Sequence, residues 1–226
     1  MHAFKALQRI LPSRLRESAR DLAEVALRRR PAQGINRVPQ SVWDDEYARG
    51  RWEYLDNIEE MARYAVIAGY CRHHGNVSSV LDLGCGAGLL RRWLRPLEPI
   101  FYVGVDLSNV AIEAARNEWT DESSKFVAMD VETFVPDRKF DVIVLNEVLY
   151  YFDDPDLVLT RFAAFLEENG KLVISVWNSP DCRRAWGRSR GSVHMLDEVQ
   201  IRHQSGVSWD ICLCRPRTPA RPERPL

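Results

Sequence analysis

Long apolar runs are absent from this 226-residue sequence, although 46% of its residues are hydrophobic. No stretch approaches the roughly 18 consecutive apolar residues that indicate a membrane-spanning helix. The N-terminus carries arginines where a secretory signal peptide would have its apolar stretch. We therefore expect a protein that neither spans a membrane nor is secreted, and we predict a cytoplasmic location. The length suits one globular domain with appended segments.

Cysteine is scarce, and its spacing predicts neither a disulfide framework nor a metal site. The chain has five cysteines, an odd number without paired metal-ligand spacing. They are Cys71, Cys85, Cys182, Cys212 and Cys214. This pattern is typical of a reducing compartment. Cys71-x-His73-His74 could bind a metal, but the polar end of a helix is the simpler interpretation, so we predict no metal.

Excess positive charge is confined to the two ends of the chain. Residues 1–37 contain nine Lys or Arg against three acidic residues, and residues 215–226 contain four against one. Residues 38–214 contain 18 basic and 28 acidic residues. An acidic body repels a phosphate backbone, so we expect no nucleic-acid partner. The same charge tolerates a cationic ligand or an amine.

The N-terminal segment has the pattern of an amphipathic helix. Apolar residues recur every three or four positions through residues 4–25, with arginines between them. Such a helix could lie on a membrane surface, or it could cover the body or a partner protein. Glu17, Asp21 and Glu24 dilute the basic face and favour the second alternative. We expect any peripheral membrane or protein contact at residues 1–30, and the oligomeric state is left open.

Composition divides the chain into four segments. They are a basic helix and linker at residues 1–40, an aromatic lid or cap at 41–76, the main domain at 77–214 and a Pro/Arg-rich tail at 215–226. The tail is too rich in proline to pack, so we expect it to be disordered.

Short apolar runs alternate with helical patterns in the main domain. The runs predict strands at Val80–Leu83, Ile100–Val105, Phe126–Met129, Phe140–Leu145 and Leu172–Val176. Helices are predicted at Leu55–His73, Leu89–Leu94, Asn109–Trp119 and Pro155–Glu168. A hairpin is predicted from Glu198–His203 and Ser208–Cys214. The alternation predicts an α/β fold with a doubly wound, mostly parallel seven-stranded sheet and a C-terminal antiparallel hairpin.

The run DLGCGAG, from Asp82 to Gly88, follows the first predicted strand and precedes a helix. That position lies at the carboxyl end of the sheet, where open α/β folds bind ligands. Its three glycines lack Cβ atoms, so the backbone can lie against a ligand. A dinucleotide fingerprint would read G-x-G-x-x-G/A, which disfavours a nicotinamide dehydrogenase. We interpret Cys85 as a small filler whose backbone matters.

An acidic residue, one spacer and G-x-G-x-G form the first motif of the class I S-adenosylmethionine (SAM)-dependent methyltransferases. The sequence resembles this family over about residues 77–214. The resemblance implies a Rossmann-like fold, SAM as the methyl donor and S-adenosylhomocysteine (SAH) as the product. It also implies a set of cofactor-binding residues at the motif and the strand ends: Asp82, Gly84, Cys85, Gly86, Gly88, Asp106, Leu107, Asp130, Val131 and Asn146.

Two of these carboxylates carry specific expectations. In the family, the acidic residue after the second strand binds both ribose hydroxyls, which implies that role for Asp106. The position of Asp130 implies contact with the adenine. Either residue alone could be a helix cap or a strand terminator. Their joint placement after successive strands favours the cofactor role.

The Asp/Asn-Pro-Pro-Tyr signature of enzymes that methylate adenine or glutamine amides is absent after the fourth strand, where the chain reads NEVLYY from Asn146. Together with the run CRRAWG from Cys182, this stretch resembles the nodulation-type N-methyltransferases, which act on the free amine of deacetylated chitooligosaccharides. That resemblance implies a small-molecule acceptor. Our hypothesis is that Glu147 and Tyr150 contact the acceptor and that Tyr150 or Tyr151 shapes the methyl pocket. The alternative is that the tyrosines are partly core and Glu147 faces solvent.

Residues 43–54, WDDEYARGRWEY, are unusually aromatic for a stretch before the core. The rings of Tyr47, Trp52 and Tyr54 can cover an adenosine or stack on a sugar face, and Gly50 offers a hinge. We therefore predict a lid that orders over cofactor and acceptor. The alternative is a helix packed permanently on the sheet. Two other functions remain open: an O-methyltransferase of another metabolite, and a non-catalytic SAM-binding partner protein.

Overall fold

A computed structural model describes residues 38–217, except His74, Asn76, Glu98 and Thr120. The N-terminal helix predicted within residues 4–25, the contacts predicted for residues 1–30 and most of the Pro/Arg-rich tail lie outside the described residues. Among the described helices, none has the length and apolar character needed to cross a membrane.

The described chain alternates helices and strands, as the sequence predicts. The helices are α1 (Gln40–Ala48), α2 (Ile58–His73), α3 (Leu89–Leu94), α4 (Asn109–Glu118), α5 (Pro155–Ala163) and α6 (Pro180–Ser189). The strands are β1 (Ser79–Leu83), β2 (Phe101–Asp106), β3 (Ser124–Ala128), β4 (Phe140–Asn146), β5 (Leu166–Trp177), β6 (Val193–Arg202) and β7 (Ser208–Pro216). Short 3-10 turns lie at Glu53–Asp56, Arg95–Leu97, Leu149–Tyr151 and Arg190–Ser192.

Seven strands form one sheet in the order β3-β2-β1-β4-β5-β7-β6. The first five are parallel, and β7 runs antiparallel to both β5 and β6. The predicted fold class is therefore confirmed. Because β1 is flanked by β2 on one side and β4 on the other, successive crossovers leave the centre of the sheet in opposite directions. A cleft opens at the carboxyl ends of these strands, where ligands of open α/β sheets bind.

Both faces of the sheet are buried at its centre. All five residues of β1 are buried, and successive side chains point to opposite faces. Leu81 packs in one apolar cluster with residues of α5, whereas Val80 packs in a second cluster with residues of α2. Helices on both sides therefore hold the strand ends, and the loops that follow them, in fixed positions.

The predicted helix Pro155–Glu168 is too long. The helix ends at Ala163, and Leu166 already pairs with Phe140 as the first residue of β5. The Phe140 N–H also donates to the Phe165 carbonyl at 2.8 Å. Tertiary pairing thus overrides the helical pattern at this end. Helix α6 was not predicted, although Ser179 caps it and Pro180 occupies its first turn.

Helix α2 begins at Ile58, three residues after the predicted start at Leu55, and its apolar residues Ile58 and Met61 do not lie on its inner face. Ile58 is 77% exposed and Met61 is 45% exposed. The buried side chains are Glu60, Arg63, Tyr64, Ile67, Tyr70 and Cys71. The helix turns a charged pair inward, because that pair contacts polar groups at the end of the sheet.

Candidate functional site

One cavity at the carboxyl ends of β1, β2 and β4 gathers nearly all of the predicted site residues. Its lining includes the predicted residues Tyr47, Trp52, Tyr54, Asp82, Gly84, Cys85, Gly86, Asp106, Leu107, Asp130, Val131, Asn146, Glu147, Tyr150 and Tyr151. Gly88 does not line this cavity. A Cβ atom there would lie 3.0 Å from Phe126 and 3.3 Å from Ala115, so this glycine serves the packing of helix against strand.

The three glycines of the motif approach three different neighbours. All have positive φ, which L residues rarely adopt. A Cβ on Gly84 would lie 2.5 Å from Val148 Cγ2, so Gly84 makes room for the loop after β4. A Cβ on Gly86 would lie 2.6 Å from the Tyr47 hydroxyl, a group of the cavity wall. The absence of a side chain at Gly86 therefore lets Tyr47, a residue of the predicted lid, lie directly against the glycine loop.

Asp106, the last residue of β2, faces the cavity with both carboxylate oxygens in use. The Gly86 N–H donates to Oδ2 and the Ser108 N–H donates to Oδ1, each at 2.9 Å. Burial raises the pKa of Asp106, and the two backbone donors partly offset this. A carboxylate offers about four lone-pair positions, so both oxygens keep capacity for two further donors, such as a pair of hydroxyls.

Asp82 is 1% exposed and has one oxygen without a partner among the described residues. The Tyr102 hydroxyl donates to Oδ2 at 2.5 Å, whereas Oδ1 accepts no hydrogen bond. Burial raises the pKa of Asp82 to about 7, against the opposing effect of the Tyr102 bond. A buried polar atom without a partner is costly, which points to a ligand donor at this position.

Glu147 lies at the turn after β4 in an unusual backbone conformation. Its φ is +61°, and among the described non-glycine residues it alone has positive φ. The Tyr150 hydroxyl donates to Oε2 at 3.0 Å and the Ser175 hydroxyl donates to Oε1 at 2.6 Å. Burial raises the pKa of Glu147, while Arg63 and the two hydroxyl donors oppose the increase. The carboxylate is thus fixed at the cavity wall and does not simply face solvent.

Aromatic rings from the predicted lid close the cavity on one side. The ring centroids of Trp43 and Trp52 lie 5.7 Å apart, and Trp52 lies 6.0 Å from both Tyr47 and Tyr54. Trp43 meets Tyr151 edge to face at 5.0 Å. The row therefore joins the segment before the core directly to the turn that carries the predicted acceptor residues.

Helix α1 is anchored on the sheet domain by a carboxylate. Asp44 Oδ1 accepts from the Ser108 hydroxyl at 2.7 Å and from the Val110 N–H at 3.3 Å. Ser108 is also the N-cap of α4, since its hydroxyl accepts from the Ala111 N–H. The predicted lid is thus docked beside the loop that follows Asp106.

Sequence reasoning missed a buried ion pair on α2. Arg63 and Glu60 are each 1% exposed, and the guanidinium donates twice to Glu60 Oε2, at 2.8 and 3.2 Å. Arg63 also donates to Asn146 Oδ1. The sequence does contain a signal for this pair. Two opposite charges stand at i, i+3 beside Tyr64 and Ile67, and buried charges occur in pairs or with ligands.

The residues at this site fit SAM. Asp82 offers a carboxylate oxygen without a partner among the described residues, and Asp106 offers lone pairs for two hydroxyls. Arg63 adds a cation to the wall. Within residues 38–217, apart from the four undescribed positions, no group of three or more His, Cys, Asp or Glu side chains could hold a metal ion.

A substitution at Gly84 tests the packing of the glycine loop. We expect Gly84→Ala to lower the free energy of unfolding by about 2 to 4 kcal/mol, because it adds a left-handed penalty to a clash with Val148. Urea denaturation measures the change. Gly187→Ala in α6 is the control, since nothing lies within 4 Å of the added methyl group. Equal stability of the two variants would contradict this account.

A family model described as methyltransferase domain matches residues 15–210. Nodulation protein S from Bradyrhizobium diazoefficiens is 30% identical over 176 residues, which cover 72% of this chain and 82% of that protein. Nodulation protein S from Sinorhizobium fredii is 29% identical over 161 residues, covering 68% and 74% of the two chains.

Solved structures share the fold. The N-methyltransferase NodS from Bradyrhizobium japonicum, in complex with SAH, has a TM-score of 0.69 and 23% identity, and the match covers 79% of this chain and 98% of that one. The 1,6-didemethyltoxoflavin-N1-methyltransferase from Burkholderia thailandensis, also with bound SAH, has a TM-score of 0.64 and 20% identity, over 79% of this chain and 87% of that one.

Proposed function

Because this chain belongs to the methyltransferase-domain family, we propose that it transfers a methyl group to the amine of a small acceptor, such as an amino sugar or another saccharide. The chain is a SAM-dependent methyltransferase of small molecules, with SAM as donor and SAH as product. The proposal concerns the acceptor atom and the residues that act on it.

The observation that carries this proposal is the Glu147 carboxylate, fixed in the cavity wall among aromatic rings. A carboxylate attracts an ammonium group and can receive its proton. Aromatic faces suit the apolar faces of a sugar ring. Two solved structures with this fold are N-methyltransferases, which is consistent with nitrogen as the acceptor atom.

The reaction requires the protein to align donor and acceptor and to exclude water. SAM supplies a methyl group that is already activated on a sulfonium. Holding the reacting atoms in line is worth up to roughly 7 to 11 kcal/mol of the barrier. We assign Asp106 to the ribose hydroxyls, Asp82 to an amino group and Asp130 to the adenine.

The acceptor side is assigned to the turn after β4 and to the lid. Glu147 binds the amine and takes its proton, while Tyr150 and Tyr151 shape the methyl pocket. Burial raises the pKa of both tyrosines, so they act as neutral groups. Tyr47, Trp52 and Tyr54 cover the reacting groups. The contact between Trp43 and Tyr151 places the covering segment directly against the proposed acceptor wall.

An acceptor comparison tests the proposal. We expect the purified protein to release SAH from SAM in the presence of an oligosaccharide with a free glucosamine amine, and not with its fully acetylated twin, because acetylation delocalises the nitrogen lone pair into the amide carbonyl. Mass spectrometry locates the methyl group. Equal turnover of both compounds would assign the methyl group to a hydroxyl. SAH binding without turnover of any acceptor would favour a non-catalytic partner protein.

We also propose that the protein is located in the cytoplasm. All five cysteines are free and buried. This supports a reducing compartment such as the cytoplasm.

A further inference from the structure

Ser175 contacts Glu147 at two points. Its hydroxyl donates to Glu147 Oε1 at 2.6 Å, and its carbonyl accepts the Glu147 N–H at 3.1 Å. The Tyr150 hydroxyl holds the second carboxylate oxygen at 3.0 Å. One contact from Ser175 fixes the main chain, and the other fixes the carboxylate.

The main-chain contact matters because Glu147 has a left-handed backbone. Such conformations persist where the surrounding structure holds them, and they cluster at functional sites. Ser175 is well suited to this task, because it is 0% exposed and lies in β5 in register with Asn146. The strand is a rigid base for a residue whose own backbone is strained.

We propose that Ser175 is a positioning residue, which aims the Glu147 carboxylate at the acceptor amine and keeps it charged. This inference rests on the proposed function, because it takes Glu147 as the residue that meets the amine. Ser175 itself acts through Glu147 and does not touch the acceptor.

The groups that face Glu147 come from four elements. Arg63 on α2 favours its charged form, and Glu60 on the same helix opposes it. Tyr150 and Tyr151 belong to the 3-10 turn, and burial raises the pKa of each above its ordinary value. Burial also raises the pKa of Cys182 on α6 to about 12. Arg63 is thus the sole cation among these groups, and the Ser175 hydroxyl is one of two neutral donors to the carboxylate.

Loss of the Ser175 hydroxyl should shift the pKa of Glu147 in a direction that can be measured. A hydrogen bond to a charged group favours the charged form, so its loss raises the pKa of the acid. We expect Ser175→Ala to raise the pKa of Glu147 by about one to two units. The acidic limb of the kcat/KM profile for the amine acceptor moves upward by the same amount, whereas SAH affinity is unchanged. The thiol of Ser175→Cys is a weaker donor, so the pKa of Glu147 in this variant should lie between its values in the wild type and in Ser175→Ala.

The experiment combines kinetics with a readout that needs no turnover. The full chain is labelled with carboxyl-13C glutamate, and Glu147 is assigned by the signal that Glu147→Gln removes. Its titration is followed in the wild type, in Ser175→Ala and in Ser175→Cys. Ser189→Ala is the matched control, because Ser189 is also 0% exposed but donates to the Ala185 carbonyl, on α6.

The outcomes separate the two proposals. An upward shift of the Glu147 titration in Ser175→Ala, with none in Ser189→Ala, supports the positioning role. Equal titration in both serine variants overturns it. If the wild type turns over no amine while the titration still shifts, the acceptor assignment fails and the contact between Ser175 and Glu147 stands as a structural one. That result also overturns the positioning role in catalysis.

Discussion

Glu147→Gln is expected to lower kcat/KM for the amine acceptor by about 100-fold or more, because a positioned acid or base contributes roughly 10²- to 10⁴-fold. Glutamine has nearly the same shape but carries no charge and takes no proton at neutral pH. SAH binding should stay within about twofold, since the proposed donor contacts lie at Asp82, Asp106 and Asp130. Steady-state kinetics and calorimetric titration with SAH measure the two effects separately.

The pH profile adds a second test of the same variant. Wild-type activity should fall as the pH decreases through the raised pKa of Glu147, because the protonated carboxyl neither attracts an ammonium nor receives a proton. The acidic limb from this residue should vanish in Glu147→Gln. Glu113→Gln is the control, since Glu113 is an exposed residue of α4. Unchanged turnover and an unchanged profile would remove Glu147 from the mechanism.

Asp82→Asn is expected to stabilise the protein at pH 8 while it weakens SAM binding. The pKa of Asp82 is about 7 in the folded chain, well above its ordinary value of 3.8. As the pH rises, the Asp82 carboxyl therefore loses its proton at a lower pH in the unfolded chain than in the folded chain. The free energy of unfolding of the wild type decreases between about pH 4 and pH 7 as a result. Asparagine has no such penalty. The Asp82→Asn variant should be about as stable as the wild type at pH 4 and up to about 4 kcal/mol more stable at pH 8.

Urea unfolding from pH 4 to pH 8, followed by tryptophan fluorescence, measures this difference. Asp141→Asn is a control of opposite sign. Burial raises the pKa of Asp141, but bonds from Ser78 and Ser79 outweigh this and hold it below its ordinary value. Asp141→Asn should therefore lose stability at neutral pH and approach the wild type as the pH falls. A difference for Asp82→Asn that does not change with pH would contradict the burial of a charged carboxylate.

Asp82→Asn should weaken SAM binding, although it stabilises the protein. Its carboxylate lines the cavity with one unpartnered oxygen, and the proposed ligand is the amino group of SAM. A hydrogen bond between charged groups is worth about 1.5 to 3 kcal/mol, so we expect SAM affinity to fall by roughly 10- to 100-fold. A more stable protein with unchanged affinity would place the amino group elsewhere.

The sheet and the glycine loop could be predicted from the sequence because their signals are local. Short apolar runs rich in Val and Ile indicate buried strands, and the motif from Asp82 to Gly88 falls at the end of the first. Asp106 ends the second strand and Asp130 follows the third, so topology alone brings them to one edge. Gly88 shows the limit of that reasoning, because its spacing matches the motif while its neighbours are Phe126 and Ala115.

The rest of the site depends on contacts between distant residues. Glu60 and Arg63 have the composition of an exposed face, but their mutual pairing and the contact of Arg63 with Asn146 favour burial. Ile58 and Met61 look like a core stripe but are exposed. Ser175 sits within an apolar run and gains its role from a residue 28 positions earlier. No local pattern encodes such partners.

The docking of α1 through Asp44 has a thermodynamic consequence. Asp44 receives the hydroxyl of Ser108, the residue that caps α4 and follows the ribose-binding candidate Asp106 by two positions. Any displacement of α1 that admits an acceptor gives up this bond, so the conformation of α1 and the order of the loop after β2 are linked equilibria. By reciprocity, a donor that steadies this loop also favours the docked state of α1. Such linkage favours a binding order in which the donor enters first and prepares the site for the acceptor.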